Sequence, residues 1–497
     1  MWRLLCLGLL LGQRQVIPAI SSPRHESAPV PSADGRRLFF WRLDDPVGLG
    51  AQDIFLSIWD DSLSQYGPPQ HLGGGINDLR GNIPFGITPD GQYLLVYKEF
   101  RNPHNSCELG LSRRLSETIW TTPTQLRIKN FQSQSGSSLT ASLGWDGRTL
   151  LLSMRGADGR GGEDLYVSFY DPEQRLWSEP LSLGPAINTP GDEITPYLSP
   201  DGITLYFSTN GRKDSEGFDV YVARRLDDTW QRWSPPVRLP APINSAADDY
   251  YFRTPALRPE QAFFVSTDSL ATLGREIYTA TLPAAYQPKP VALVSGRVIE
   301  SRSQRPVGGQ EIRYYDLLEK TLVGTAYSDN ETGNYKIILP GGTLYAVVVV
   351  GAAYFSISEQ IDLREMERFR QVTQDLRVVP LLVGERIPLS GLYFGVGDTV
   401  LRPESQVELE RLVWLLSEKP TMQVEIVGHT DSTGSLALNE RLSWGRARAV
   451  LNYLVGRGIM PERLRVRGAG ASEPIASNAT PEGRAQNRRV EIRIITL

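Results

Sequence analysis

Apolar and polar positions alternate over short distances through most of the first 380 residues, and the period lengthens only towards the C-terminus. Runs such as Leu205-Tyr206-Phe207-Ser208 and Asp219-Val220-Tyr221-Val222 are short and rich in aromatic and β-branched residues. Gly, Pro, Asn and Asp bound them, which predicts strands separated by tight turns. From Pro403 the pattern changes. Leu409, Leu412, Val413 and Leu416 recur at i, i+3, i+4 and i+7, predicting a helix that opens on a proline suited to its first turn. Leu392–Val396 and Met422–Val427 read as strands, Leu436–Val455 as a second helix, and Arg463–Arg467 and Arg489–Ile494 as further strands. Strand, helix, strand, helix, strand predicts an α/β sandwich with helices on one sheet face.

The strand-rich part is a repeat. Ala33-Asp34-Gly35 before Leu38-Phe39-Phe40 returns as Pro89-Asp90-Gly91, Trp145-Asp146-Gly147 and Pro200-Asp201-Gly202, each before an apolar strand. The Asp-Gly pairs stand 56, 56 and 55 residues apart, and a decayed fifth copy follows at Pro259-Glu260-Gln261. Each copy offers four short strands closed by a Trp…Pro…Leu segment, as in Trp177–Leu183 and Trp233–Leu239. Four strands per copy is the unit of a β-propeller blade, which buries its faces only against its neighbours. The prediction is an all-β propeller of about five blades over residues 29–283. Asp-Gly supplies the positive φ angles of its hairpins. Asp34, Asp90, Asp146 and Asp201 occupy one turn position, so they read as structural and not catalytic.

Pro-rich Ala284–Pro290 marks a boundary. Strands are then predicted at Val294–Ile299, Glu311–Tyr315, Gly324–Ser328, Gly333–Ile338 and Leu344–Val350, spaced as in a small β-sandwich over residues 291–383. The last region is 388–497. Three regions suit a length of 497 residues.

Composition removes several classes. Apolar residues make up 40% and charged residues 22%, too polar for a multi-span membrane protein. A net charge of −4 gives no field for nucleic acid. Two Cys and four scattered His (His25, His71, His104, His429) argue against a disulfide framework or zinc enzyme, and no metal or cofactor is expected. Met1–Leu11 has one Arg before an apolar run, with Ala19, Ser21 and Ser22 downstream, the order of a secretory leader over residues 1–21. Cys6 follows Leu4-Leu5 and sits too early for a lipoprotein anchor, and cleavage near Ser21 would leave Cys107 as the one thiol.

The candidate chemistry lies in Gly428-His429-Thr430-Asp431-Ser432-Thr433-Gly434, followed by Asn439-Glu440-Arg441-Leu442-Ser443-Trp444-Gly445-Arg446-Ala447. Asp431 would end a strand, and Asn439, Ser443 and Arg446 at i, i+4 and i+7 share one helix face. On spacing alone an Asp–Arg pair here reads first as a structural salt bridge.

Three resemblances extend this. Ser199–Asn210 resembles TolB-type propeller repeats. Gly296…Pro306-Val307…Asp329…Gly333-Asn334-Tyr335 looks like the carboxypeptidase regulatory-like family, without any His cluster for a peptidase metal. Gly-His-Thr-Asp…Asn-x-x-Leu-Ser-x-x-Arg-Ala, with Gly468-Ala469-Gly470…Pro474 and Asn487-Arg488-Arg489-Val490-Glu491, resembles the OmpA-like peptidoglycan-binding domain. That last resemblance implies non-covalent binding of a peptidoglycan stem peptide of the diaminopimelate type. Asp431 would hold the ligand's ammonium and Arg446 its carboxylate, with Asn439 and Arg488 as further contacts and Thr430 and Leu438 shaping the pocket. One fixed charge of each sign suits a zwitterion, and guanidinium pairs with carboxylate in a bidentate fork. His429 reads as packing. Phe394-Gly395-Val396-Gly397 lacks the Asp of the family's first strand.

The expectation is therefore a non-catalytic envelope protein of the periplasm, associated with cell wall or outer membrane. Its C-terminal domain would grip peptidoglycan while the propeller meets an unknown envelope protein, tethering an outer-membrane or secretion assembly. The alternative is a wall-bound hydrolase or sensor with its site in the propeller.

Overall fold

The computed structural model describes residues 13–100, 107–133, 138–172, 174–267, 274–319, 321–351, 353–357, 359–395 and 397–497. The chain divides into two compact units: Met1–Val294 with Lys336–Gly341 and Glu365–Val372, and Ser295–Tyr335 with Gly342–Arg364 and Thr373–Leu497. It is a multidomain, strand-rich protein.

Five antiparallel sheets fill the first unit, four of them from strands consecutive in sequence. Their first strands are Glu26–Pro31, Asn82–Ile87, Thr140–Leu143, Glu193–Leu198 and Asp249–Arg253. Each packs on the first strand of the next sheet, and the fifth packs on the first. Three of them bulge at one equivalent position, where Ala28, Thr195 and Tyr251 adopt φ of 52°, 48° and 55°. Non-glycine residues hold such angles only where surrounding structure over-determines them. Leu38, Phe40, Leu95, Leu150, Leu152 and Phe263, on second strands, build one core cluster.

The repeated turn works differently from the sequence expectation. Gly35, Gly91, Gly147 and Gly202 all take φ near 70°, yet none of the paired aspartates has positive φ. The aspartate caps instead. Its Oδ1 accepts the backbone N–H two residues on, from Arg36, Gln92, Arg148 and Ile203, at 2.9–3.1 Å. Turn and cap are separate jobs, so the fifth hairpin survives without Asp-Gly, closed by Gln261 N–H on the Arg258 carbonyl at 3.0 Å.

The fourth strand of the fifth sheet comes from the chain's beginning. Gln15 pairs with Thr279 and Val16 with Tyr278, antiparallel to Glu276–Thr281. Ile17 and Ile20 are buried, Arg14 lies 3.6 Å from Asp249, and Ser21 Oγ donates to Glu276. Residues 13–21 fell in the expected leader, and a leader ending at residue 21 would remove this strand. The apolar run Leu4–Leu11 and Cys6 lie outside the described residues.

In the second unit Glu311–Asp316, Thr321–Tyr327 and Leu344–Gly351 form strands where strands are predicted. Tyr354–Ser356, Glu359–Asp362 and Leu376–Pro380 add three that the pattern did not announce. The C-terminal portion contains β1 (Arg386–Pro388), α1 (Gln406–Glu418), β2 (Gln423–Gly428), α2 (Leu436–Gly456), β3 (Leu464–Gly468), α3 (Pro481–Asn487) and β4 (Val490–Thr496). Sheet order is β1-β4-β2-β3, with β2 and β3 parallel and β4 antiparallel to β1 and β2. Leu409, Leu412 and Leu416 of α1 and Ala447, Val450 and Leu454 of α2 share a core with Val424, Ile426 and Ile492. The strand expected at Leu392–Val396 is absent: Phe394 makes one isolated bridge to Leu401, and Val396 lies outside the described residues. Gly395 and Gly397, the latter at φ +67°, favour a turn, and β1 takes the sheet edge instead.

Candidate functional site

The site is built where β2 runs out into α2. A Cβ on Gly428 would strike the Ser443 carbonyl, so only glycine lets α2 lie this close to the strand. Beyond it the chain stays extended between two neighbours: His429 N–H donates to Arg489 O at 2.8 Å and Thr430 N–H to Gly470 O at 2.8 Å. Gly434, at φ +91°, then turns the chain into α2, whose first turn is capped by Ser435 Oγ accepting from Leu438 N–H at 3.3 Å.

Asp431 sits at this corner, 5% exposed. Its Oδ1 accepts Thr433 N–H at 2.9 Å and the Thr433 hydroxyl; its Oδ2 accepts Arg488 Nη1 at 2.7 Å. Burial pushes its carboxyl up, but the Thr433 and Arg488 hydrogen bonds outweigh this and hold it below the usual aspartate value. Asn439 Nδ2 donates to the Asp431 carbonyl at 3.3 Å, and Ser443 Oγ accepts Gly470 N–H at 3.0 Å.

Arg446 behaves differently. It is 8% exposed, its Nε donates to the Asp398 carbonyl at 3.1 Å, and its guanidinium lies 5.2 Å over the Phe394 ring. Among the described residues no carboxylate reaches it within ion-pair distance. Burial, then the positive charge of Arg488, pushes its pKa down while Asp431 and Asp398 oppose this. The Asp431–Arg446 salt bridge that spacing alone suggests is therefore not formed. Asp431 pairs with Arg488, and a buried cation is left facing the site, where a carboxylate would be stabilised.

Thr430 is buried and its hydroxyl has no hydrogen-bond partner, whereas Leu438 is 37% exposed at the first turn of α2. Sequence reading passed over Asn487 as a supporting residue. Fully buried, it accepts Ile475 N–H at 2.8 Å and Ala476 N–H at 3.1 Å and donates to Asn478 Oδ1 at 3.0 Å. Asn478 Oδ1 in turn accepts Ser432 N–H at 3.2 Å, which ties the loop before α3 to the Asp431 corner. Thr480 before Pro481 was the available signal for α3, a cap followed by proline at the first helical position.

His429 is fully packed, with Nε2 3.2 Å from Glu491, and Glu473 completes a cluster of metal-capable atoms within 4.8 Å. The acids are already matched. Arg386 and Arg467 each lie 2.6 Å from Glu473, and Arg386 and Arg489 lie 3.1 and 3.3 Å from Glu491. Hydrogen bonds from Arg467 and Arg386 hold Glu473 down at about 2. A metal ion would meet three guanidinium groups, so the donor set suits packing and not a cation.

This corner lies within the stretch matched by a known family. Residues 393–488 form an OmpA family domain. Probable lipoprotein YiaD of Escherichia coli (strain K12) is 43% identical over 104 residues, 21% of this chain and 48% of that protein. Peptidoglycan-binding protein ArfA of Mycobacterium tuberculosis (strain ATCC 25618 / H37Rv) is 48% identical over 99 residues, 20% of this chain and 30% of that protein. Among solved structures, the cell wall anchor of the T6SS from Pseudomonas aeruginosa is 34% identical, covering 22% of this chain and 80% of that one with a TM-score of 0.21. The chain spans about half or less of the length of the curated relatives it matches. Asp431, Asn439, Arg446 and Arg488 all fall inside the OmpA family domain.

Proposed function

We propose that the OmpA family domain binds the stem peptide of peptidoglycan, diaminopimelate in type, and anchors the chain non-covalently to the cell wall. The observation that carries this reading is the buried Arg446 without a carboxylate partner beside a buried, ionised Asp431. The ligand's carboxylate would take the Arg446 guanidinium, and its ammonium would take the position on Asp431 Oδ2 that Arg488 now holds. Arg488 is half exposed at its side chain, so solvent can take over its charge when the ligand's ammonium replaces it on Asp431. Asn439 holds the Asp431 backbone, while Thr430 and Leu438 border the pocket. Binding by hydrogen bonds and charge alone makes the role non-catalytic.

For the first unit the reading is a five-bladed TolB-type propeller, supported by the cyclic packing of the five first strands and the repeated Asp-Gly turn. It would present loops to an envelope protein partner, with a carboxypeptidase regulatory-like sandwich linking it to the anchor. The whole would sit in the periplasm, at the wall or outer membrane, as a tether.

Sedimentation with purified peptidoglycan sacculi tests the anchor. Full-length protein is expected in the pellet and Arg446→Ala in the supernatant; equal pelleting of the two would remove the site assignment.

A further inference from the structure

Within the second unit, a cavity of about 320 Å³ separates α1 from the strands Glu311–Asp316 and Leu344–Gly351. One wall is the face of those paired strands, where Arg313 stands opposite Val348. The other is one side of α1 and the turn before it, through Pro403, Val407, Glu410 and Trp414 at i, i+4, i+7 and i+11. The two walls are tied together beside the gap. Phe355 shares a core with Leu412 and Leu415, the Arg411 guanidinium lies 4.7 Å over the Phe355 ring, and Arg411 donates to the Ser356 carbonyl. Unfilled space forfeits the dispersion contacts its lining could make, and this volume lies at the lower end of small-molecule sites, about 300–1,000 Å³.

Lining, charge and length narrow the class of occupant. Val348, Val407 and Leu415 meet Tyr315, Tyr354 and Trp414 around the gap, and Trp414 is 44% exposed, an apolar ring that an occupant would cover. Three of the four charged groups in the lining are already matched. Arg313 Nε lies 2.7 Å from Glu311, Arg411 donates to Glu408 at 2.5 Å, and Glu410 accepts from the Tyr453 hydroxyl at 2.5 Å and pairs with Arg457. The fourth, Glu404, is exposed to solvent. An ionic ligand would thus find no buried counter-charge, which favours a neutral one. The lining runs from Pro403 to Leu415, about 18 Å along the helix axis, so a modest volume is drawn out into a slot.

We propose that this slot binds a single uncharged alkyl chain, that of a monoacyl lipid whose polar head stays in solvent at the rim. A linear chain fills a long slot where a compact ring would leave its ends empty. Burial of the chain, with cover for Trp414, supplies the driving force. None of the lining residues belongs to the Asp431 corner, so the site works independently of wall binding.

Titration of the full chain with monodecanoylglycerol, kept below its micelle threshold, should show one saturable site with a negative heat-capacity change. Cyclodecanol, a ring of equal carbon number, should bind at least tenfold more weakly. An alkyl alcohol brominated at its far end should quench part of the tryptophan emission, and that part should vanish in Trp414→Phe. Val407→Phe narrows the slot from the helix side; it should weaken monodecanoylglycerol at least tenfold while sedimenting with sacculi as the parent chain does. Absence of saturable binding, equal affinity for the ring, undiminished affinity in Val407→Phe or quenching that survives in Trp414→Phe would each overturn the proposal. If Val407→Phe does not fold, the Trp414→Phe quenching decides the location alone.

Discussion

Arg488 donates to Asp431 Oδ2 at 2.7 Å and thereby occupies the carboxylate that the strand-to-helix corner buries. The third charged member, Arg446, faces the same corner with no acid within ion-pair distance among the described residues. On the proposed reading Arg488 stands where a ligand cation would, and the three residues should not respond alike to mutation. Replacing Arg446 by Ala removes a charge-assisted contact worth about 1.5–3 kcal/mol, so sacculus affinity should fall at least tenfold in a sedimentation titration. Arg488→Ala should leave affinity within about threefold, because it also removes the competitor for Asp431. A larger loss in Arg488→Ala than in Arg446→Ala would reverse the roles assigned to them.

The Asp431 carboxyl is held below its ordinary value, so its contribution is complete above the unfolded pKa of about 3.9 and is lost as pH falls through the lower folded value. Sacculus binding should therefore be flat from neutral pH down to about 4 and decline only below it. Asp431→Asn should be weak at every pH. A decline centred near pH 6 would point to another group.

Acidic residues of the first unit titrate in the opposite sense. Burial pushes Glu26 up to about 7 and Asp249 up to about 6. A carboxyl raised by folding binds its proton more tightly in the native state, so stability falls as pH rises from about 4 through these values. Chemical denaturation should show the first unit on the order of 2 kcal/mol less stable at pH 7.5 than at pH 5. Glu26→Gln should flatten most of that slope.

Truncation weighs the strand at Gln15–Val16. A chain beginning at Gln13 is the reference. One beginning at Pro23 loses the Gln15–Val16 strand and two buried isoleucines, each worth about 1.5–3 kcal/mol, and should melt several degrees lower. Equal melting would mean the strand adds nothing.

Within the repeated turn, the cap should outweigh the glycine. Asp201 accepts Ile203 N–H, Thr204 N–H, the Thr204 hydroxyl and Lys289 N–H, whereas a Cβ at Gly202 meets open space. Gly202→Ala should cost about 1 kcal/mol, from φ alone, and Asp201→Ala at least twice that. Thermal unfolding of the two variants gives the order.

What the sequence made legible follows from where the signals are local. The Asp-Gly repeat, the α1 stripe and the Gly-His-Thr-Asp corner are short patterns, and the structure places strands, helix and corner there. Pairings that join distant residues were not legible. Nothing near Gln15 announces a partner at Thr279, and nothing in Arg488 says that it, and not Arg446, reaches Asp431. Leu392–Val396 misled because its apolar content looks like a strand while Gly395 and Gly397 decide the backbone. Asn487 escaped because a fully buried amide serving a loop has no periodic signature.

The pairing of Gln15 with Thr279 has one more consequence. Its two halves lie 264 residues apart in the chain, and closure must wait until the fifth sheet exists. A nascent chain can complete the earlier sheets in order, but the Gln15–Val16 strand stays unpaired until Glu276–Thr281 has formed. The unit should therefore fold slowly for its size, with closure as the late step, and it is most open to misassociation just before that step.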